Sequence, residues 1–432
     1  MELNKGAVPY QDEIINALEE IRQENPSIQH LDYFIGRTYW YFKENKKKVI
    51  SPKVVIIGTS IPEEIFFAAG ITPYWILGGS LCMTEHSSEL TPRDTDPVSR
   101  SVLGYIESQK VADFSQSLFI IPSSSDSMRK IAYQLKTEGK KIYMVDIPPQ
   151  KEDPMVWSKC AEVMNELCET ICNHTGRNFS RRKYNAAADM VDEARLQLAR
   201  FLKRTRLYPG IVSSRARMLV QNSYYYSGRL NEWSRELEKL NDEIKKLSGF
   251  ASRISNTREL FEDTCDLKKI ICEKTTPKVL LVGSPIYFPN YKVPKLIEDA
   301  GLELCEMIDS STQKLKRKTY KAEGKRKKEL IFWLARSWYR NDCSSAFVIN
   351  HSLLENLKKS IDNLKPNGVI CHVLKGQIEY DFELQRMEKT LEEMDIPVFR
   401  LETDYKYNDI EQLRIRMEAF SEMLSNRSLC IK

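Results

Sequence analysis

The chain has 432 residues, 42% hydrophobic and 29% charged, enough apolar material for two or three domains of roughly 150 residues and too much for a disordered polymer. Lys and Arg number 65 against 60 Asp and Glu, a balance of +5 that gives no support to a nucleic-acid partner and leaves any anion site local. No apolar run approaches the roughly 18 residues of a membrane helix, Met1 to Lys5 lacks a signal-peptide pattern, and ten cysteines are too sparse for a disulfide scaffold. A cytoplasmic protein with buried thiols and no membrane contact is therefore expected.

Residues 11–48 show helical spacing at Ile14, Ile15, Leu18 and Ile21 and a basic stop at Lys46, Lys47 and Lys48, so 1–50 reads as an N-terminal helical cap. Pro52 to Gly58 is a β-branched strand closed by glycine, and Thr59-Ser60-Ile61-Pro62-Glu63-Glu64 opens a helix ending at Ala68-Ala69-Gly70. Ser117 to Ile121 runs into Pro122-Ser123-Ser124-Ser125-Asp126, a helix over 127–135 and a strand over 141–145, giving a first α/β domain over 51–153. Residues 154–275 read as a helical connector, with apolar positions such as Val191, Ala194, Leu198 and Leu202. The opening pattern returns at Pro277 to Ser284, about 225 residues after the first, and leads to Lys295 to Gly301. A strand over 368–374, the Lys375-Gly376-Gln377 loop, a helix over 382–394, a strand over 397–401 and a final helix over 411–424 complete a second α/β domain over 276–432. The fold class is α/β: two Rossmann-like, flavodoxin-like parallel-sheet domains facing a cleft and joined by a helical region. Open parallel sheets place their sites at the carboxyl ends of strands, so loops carrying Ser60, Ser125 with Asp126, Ser284 and Gln377 are expected to face one cleft.

Walker, nucleophile-elbow and dinucleotide fingerprints are absent, which removes support for ATP hydrolysis, esterase chemistry and NAD use by this chain. The five histidines fall in no ligand pattern. Cys160, Cys168 and Cys172 with His174 read as a packed helix, since thiolate metal sites draw on turns that let ligands converge, and no metal is expected. The basic run from Lys314 to Lys328 offers either a phosphate-binding surface or a solvated face, the latter favoured; Arg215 to Tyr226 reads as a solvated or core-lining helix.

Several segments together resemble the family of 2-hydroxyacyl-CoA dehydratases and benzoyl-CoA reductases, which includes the double-cubane cluster proteins. They are Pro62 to Gly70, Pro92-Arg93-Asp94-Thr95, Ser125-Asp126-Ser127-Met128-Arg129-Lys130, Val373-Leu374-Lys375 with Tyr380-Asp381, and Leu401 to Tyr405 with Gln412 to Glu422. The resemblance implies a [4Fe-4S] cluster held by three cysteines from three loops, an ATP-dependent activator that supplies an electron, an acyl-CoA substrate dehydrated or reduced by radical chemistry, and pairing with a related subunit. At the positions matching those cysteines this chain has Asp96, Ser125 and Gln377. Carboxylate, hydroxyl and amide are poor ligands for such iron, and Cys82, Cys343 and Cys371 occupy no matching loop end.

The leading expectation is a cluster-lacking partner subunit, binding no cofactor itself and forming a heterodimer, or a homodimer, whose chemistry needs a cluster-bearing mate. The alternatives are an iron-free enzyme or small-molecule binding protein that uses Glu63, Glu64, Arg93, Asp96, Ser125 and Gln377 in the former cluster cleft, or an active dehydratase with unusual ligation. In the iron-free case Glu63, Glu64, Arg93 and Asp96 are the candidate catalytic groups, and Ser60, Asp126 and Ser284 candidate substrate contacts.

Overall fold

Strand β1 (Val54–Ile57) is buried at all four residues, and so is β5 (Lys278–Gly283) except at Lys278. Continuous apolar runs of this kind mark strands covered on both faces, and each such side chain stabilises the fold by about 1.5–3 kcal/mol. The computed structural model describes residues 9–45, 47, 50–151, 154–256, 276–321 and 326–430. In it each of the two runs is a central strand of a four-stranded, wholly parallel sheet.

The first sheet adds β2 (Tyr74–Ile76), β3 (Leu118–Pro122) and β4 (Lys141–Val145) in the order β2-β1-β3-β4. The second adds β6 (Glu303–Ile308), β7 (Gly368–Leu374) and β8 (Val398–Thr403) in the order β6-β5-β7-β8. Strand for strand the two orders are the same. In each, the chain leaves the first strand for one neighbour and later crosses to the other, so loops after β1 and β3, and after β5 and β7, diverge at a switch point.

The N-terminal region forms two helices rather than one, α1 (Tyr10–Glu24) and α2 (Leu31–Phe42), because Asn25-Pro26 cannot continue the ladder. The second ends before the lysine run, of which Lys46 and Lys48 lie outside the described residues. In the first α/β unit follow α3 (Glu64–Ala68), α4 (Leu81–His86), α5 (Pro97–Ser108) and α6 (Asp126–Thr137). Four long helices come next: α7 (Pro154–Thr175), α8 (Arg181–Leu207), α9 (Ser214–Tyr226) and α10 (Leu230–Asn256). The second unit carries α11 (Lys292–Asp299), α12 (Ser310–Lys314), α13 (Lys327–Asn341), α14 (His351–Leu364), α15 (Ile378–Glu393) and α16 (Ile410–Cys430).

Helix α9 is the hub. It is buried along nearly its whole length, and its Arg215 forms ion pairs with Glu20 and Glu24 of α1. From its other end Asn222 accepts the Phe288 N–H at 3.1 Å and the Tyr291 hydroxyl at 2.9 Å, tying the second unit to the helices. Cys160 and Cys168 are buried on α7, while His174 sits 3.0 Å from the Lys53 carbonyl, as expected of a packed helix.

Candidate functional site

The two switch points face each other across a cavity of about 60 Å³. Gly58, Thr59 and Ser60 reach it from the loop after β1, Ser124 and Ser125 from the loop after β3, Pro285 and Tyr287 from the loop after β5, Gln377 from the loop after β7 and Glu379 from the first turn of α15. Asp96 and Ser99 enter from the start of α5, Ser310 from α12, and Ser344 and Ser345 from the segment after α13. Hydroxyls dominate the wall, and Met128 supplies its one sulfur among the described lining residues.

Three helices begin at this wall, each with one of the three matched positions as its N-cap. Asp96 accepts the Ser99 N–H at 3.0 Å, with Pro97 as the first helical residue of α5. Ser125 accepts the Met128 N–H at 3.1 Å at the head of α6. Gln377 precedes α15 and makes no side-chain cap. Its Nε2 instead donates to Asp96 Oδ1 at 3.3 Å across the two units, and its Oε1 is buried without a partner. Asp96 and Ser125 thus satisfy orphan N–H donors at helix starts, and the converging dipoles favour negative charge there.

Backbone packing holds the two sides together. Gly376 has φ +85, and a Cβ on it would come within 2.6 Å of the Asp94 carbonyl oxygen. Only glycine allows the β7 loop to lie flat against the Asp94–Asp96 turn.

Glu379 is the titratable surprise. Burial, with smaller contributions from Asp96 and Asp126, pushes its carboxyl up to about 7. A carboxyl in that range exchanges a proton near neutral pH.

Of the residues singled out by sequence, Ser60, Asp96, Ser125 and Gln377 meet at the cavity. Ser284 does not: it is turned into its own sheet, where its hydroxyl accepts the Leu374 N–H at 3.0 Å. Arg93 and Asp126 are exposed outside it.

Glu63 and Glu64 lie elsewhere, in a buried ionic junction. Glu63 Oε1 is 2.7 Å from Arg195 Nη2 and accepts the Tyr224 hydroxyl at 2.6 Å, while Oε2 is 2.6 Å from Lys314 Nζ. Lys314 also donates to the Ile61 carbonyl at 2.6 Å and lies 4.6 Å from the Trp75 ring centroid. Burial pushes the Glu63 carboxyl up, but Lys314 and Arg195 outweigh it and hold it down at about 2. Burial and the neighbouring Glu63 raise Glu64. The expectation that these two acids share a cleft with Asp96 is therefore revised: Glu63 joins the first unit to α8, α9 and α12.

Most of the described basic run is a solvated face, as expected: Lys316, Lys318, Lys321, Arg326 and Lys328 are exposed. Lys314 is in that junction, Arg317 is 3.3 Å from Asp342, and Lys321 is 2.5 Å from Asp189; residues 322–325 lie outside the described set.

The donor set does not fit a thiolate-bound cluster. Asp96 Oδ1 already carries two hydrogen bonds, Ser125 caps a helix, and Gln377 is a neutral amide. Cys371 is buried with Leu280, Val282 and Val369 on a face of the second sheet, and burial raises its thiol. Cys343 precedes the lining serines, but its Sγ faces the Asn341 carbonyl and Asn356. Neither these two nor Cys82 lines the cavity. Sequence reading missed Glu379, Ser344 and Ser345; the one available signal was Glu379's place beside the matched Tyr380-Asp381 segment.

The family model described as 2-hydroxyglutaryl-CoA dehydratase, D-component, matches residues 59–424. The chain is similar to the protein of Escherichia coli (strain K12) described as "Putative dehydratase subunit YjiM", 24% identical over 374 residues, which cover 86% of this chain and 91% of that one. It is also similar to the "(R)-phenyllactyl-CoA dehydratase beta subunit" of Clostridium sporogenes, 24% identical over 373 residues, covering 84% of this chain and 89% of the relative. The chain thus belongs to the 2-hydroxyglutaryl-CoA dehydratase D-component family, as the segments quoted from its sequence imply.

Proposed function

We propose that this chain is a cluster-lacking subunit of an acyl-CoA dehydratase, paired with a related subunit that carries a [4Fe-4S] cluster and receives electrons from an ATP-dependent activator. The observation that carries the reading is the meeting of Asp96, Ser125 and Gln377 in one cavity, hydrogen-bonded to each other or to helix starts where iron would need thiolates. In this role the chain contributes a shaped wall of the acyl-CoA cleft and a surface for its mate. Val348, Ile378 and Phe382 are 65%, 64% and 71% exposed; Ile378 lies between two lining residues, and Val348 follows the lining serines closely. Apolar side chains left in water next to a cleft favour a protein partner. One relative described as a beta subunit of a CoA-thioester dehydratase supports the same assignment. A cytoplasmic setting belongs to this reading.

The test restores the missing thiolates. The Asp96→Cys/Ser125→Cys/Gln377→Cys variant is expected to take up iron and sulfide on anaerobic reconstitution, whereas the native chain does not. A triple variant that folds but binds no iron would overturn the assignment of the cavity.

One observation favours a second reading, an iron-free proton-transfer centre: Glu379, near neutrality, shares the cavity with Asp96. Acid/base activity retained by the isolated native chain and lost in Glu379→Gln would select it.

A further inference from the structure

A second and larger cavity, of about 130 Å³, lies away from the first, between α8, α9 and the edge strand β6. Leu202, Met218, Leu304 and Met307 give it apolar walls, and Ala199 stands exposed at its rim. Three cations line it, Arg206, Arg217 and Lys316, against one carboxylate, Glu306. Glu306 is shared: it lies 3.4 Å from Arg206 and also pairs with Lys316.

Arg217 is left over. It donates Nη2 to the Leu304 carbonyl, its Nε is buried without an acceptor, and it makes no ion pair among the described residues. The acid on the neighbouring helix, Glu298, accepts the Ser214 N–H on Oε1 at 2.5 Å instead. Burial lowers Arg206 and Arg217, and burial together with Arg206 lowers Lys316 to about 8. Glu298 and Glu303 act on the Arg217 guanidinium without forming an ion pair with it, and a planar carboxylate can take two of its N–H groups at once. An apolar cavity of about 150 Å³ is known to accept benzene, which sets the scale of the attached group.

We propose that this cavity binds a small carboxylate bearing an apolar group of roughly benzene bulk, its carboxylate on Arg217 and its apolar group among Leu202, Met218, Leu304 and Met307. The site is separate from the Asp96 cavity and does not depend on the reading of that cavity.

Calorimetric titration of the full chain with benzoate, benzamide and inorganic phosphate tests it. Benzoate is expected to bind saturably, with benzamide and phosphate each at least tenfold weaker. Arg217→Gln should weaken benzoate at least tenfold. Since Arg217 also holds the Leu304 carbonyl, Ala199→Trp supplies a second test that leaves that bond in place, fills the rim and should abolish binding. Absence of saturable benzoate binding, equal binding of benzamide, tighter binding of phosphate, or unchanged affinity in a folded Ala199→Trp variant would each overturn the proposal.

Discussion

The Glu63 junction and the Asp96 cavity are both buried, both polar and both built where parts distant in sequence meet. At the junction each Glu63 oxygen faces a cation or a hydroxyl within 2.7 Å. At the cavity an amide oxygen of Gln377 has no partner, and Glu379 has been driven toward neutrality by burial. Paired charges that touch three structural units do the work of assembly; unpaired polar groups around a void are what a fold keeps when something else is to bind or react there. Of the two adjacent glutamates after β1, Glu63 is paired with Arg195 and Lys314 in the interior, whereas Glu64 keeps a buried Oε2 without a hydrogen-bond partner.

Substitutions can break or sharpen that contrast. Glu63→Ala strands Arg195 and Lys314 in the interior and should lower stability by about 3–5 kcal/mol in urea melts, whereas a loss under 1 kcal/mol would show that the junction is dispensable. Gly376→Ala places a methyl against the Asp94 carbonyl at positive φ and is expected to cost about 1–3 kcal/mol; proteolysis should reveal the two units parting at the cavity.

Glu379→Gln should act in the opposite direction. The folded-state pKa of about 7 is raised above the usual 4.5, so between these values the folded chain holds the extra proton and stability falls as pH rises. Replacing the carboxyl should therefore stabilise the protein on the order of 2 kcal/mol at pH 8 and have no such benefit below pH ~4. A wild-type stability profile that is flat from pH ~4 to 7 relative to the variant would remove the uncompensated carboxyl from the account. Ser125→Ala should show the smallest effect, about 1 kcal/mol, the loss of a helix cap; a much larger loss by the same melts would mean that this hydroxyl does more than cap α6.

Six of the eight strands can be read from sequence, the four central ones as apolar runs and the edge strands β4 and β8 from their place after a helix. Those missed, β2 and β6, are edge strands. Tyr74–Ile76 is three residues long, and Glu303–Ile308 carries glutamates at its first and fourth positions, so neither shows the run of a central strand. Ser125 and Gln377 were legible because fold rules and family resemblance point to the same strand ends, and Asp96, which lies between two helices, from the resemblance alone. The partners of Glu63 were not, since Arg195 stands 132 residues away in the chain and no spacing rule links them. Ser344 and Ser345 were invisible for a related reason: they sit in an irregular segment with no periodicity to place it.

Iron and acid-labile sulfide per chain, measured after anaerobic purification of the native protein alone and co-expressed with a cysteine-bearing family subunit, test the central claim most directly. The account predicts no iron on the isolated chain and a stable heterodimer whose cluster resides on the mate. Near-stoichiometric iron and sulfide on the isolated chain would contradict it.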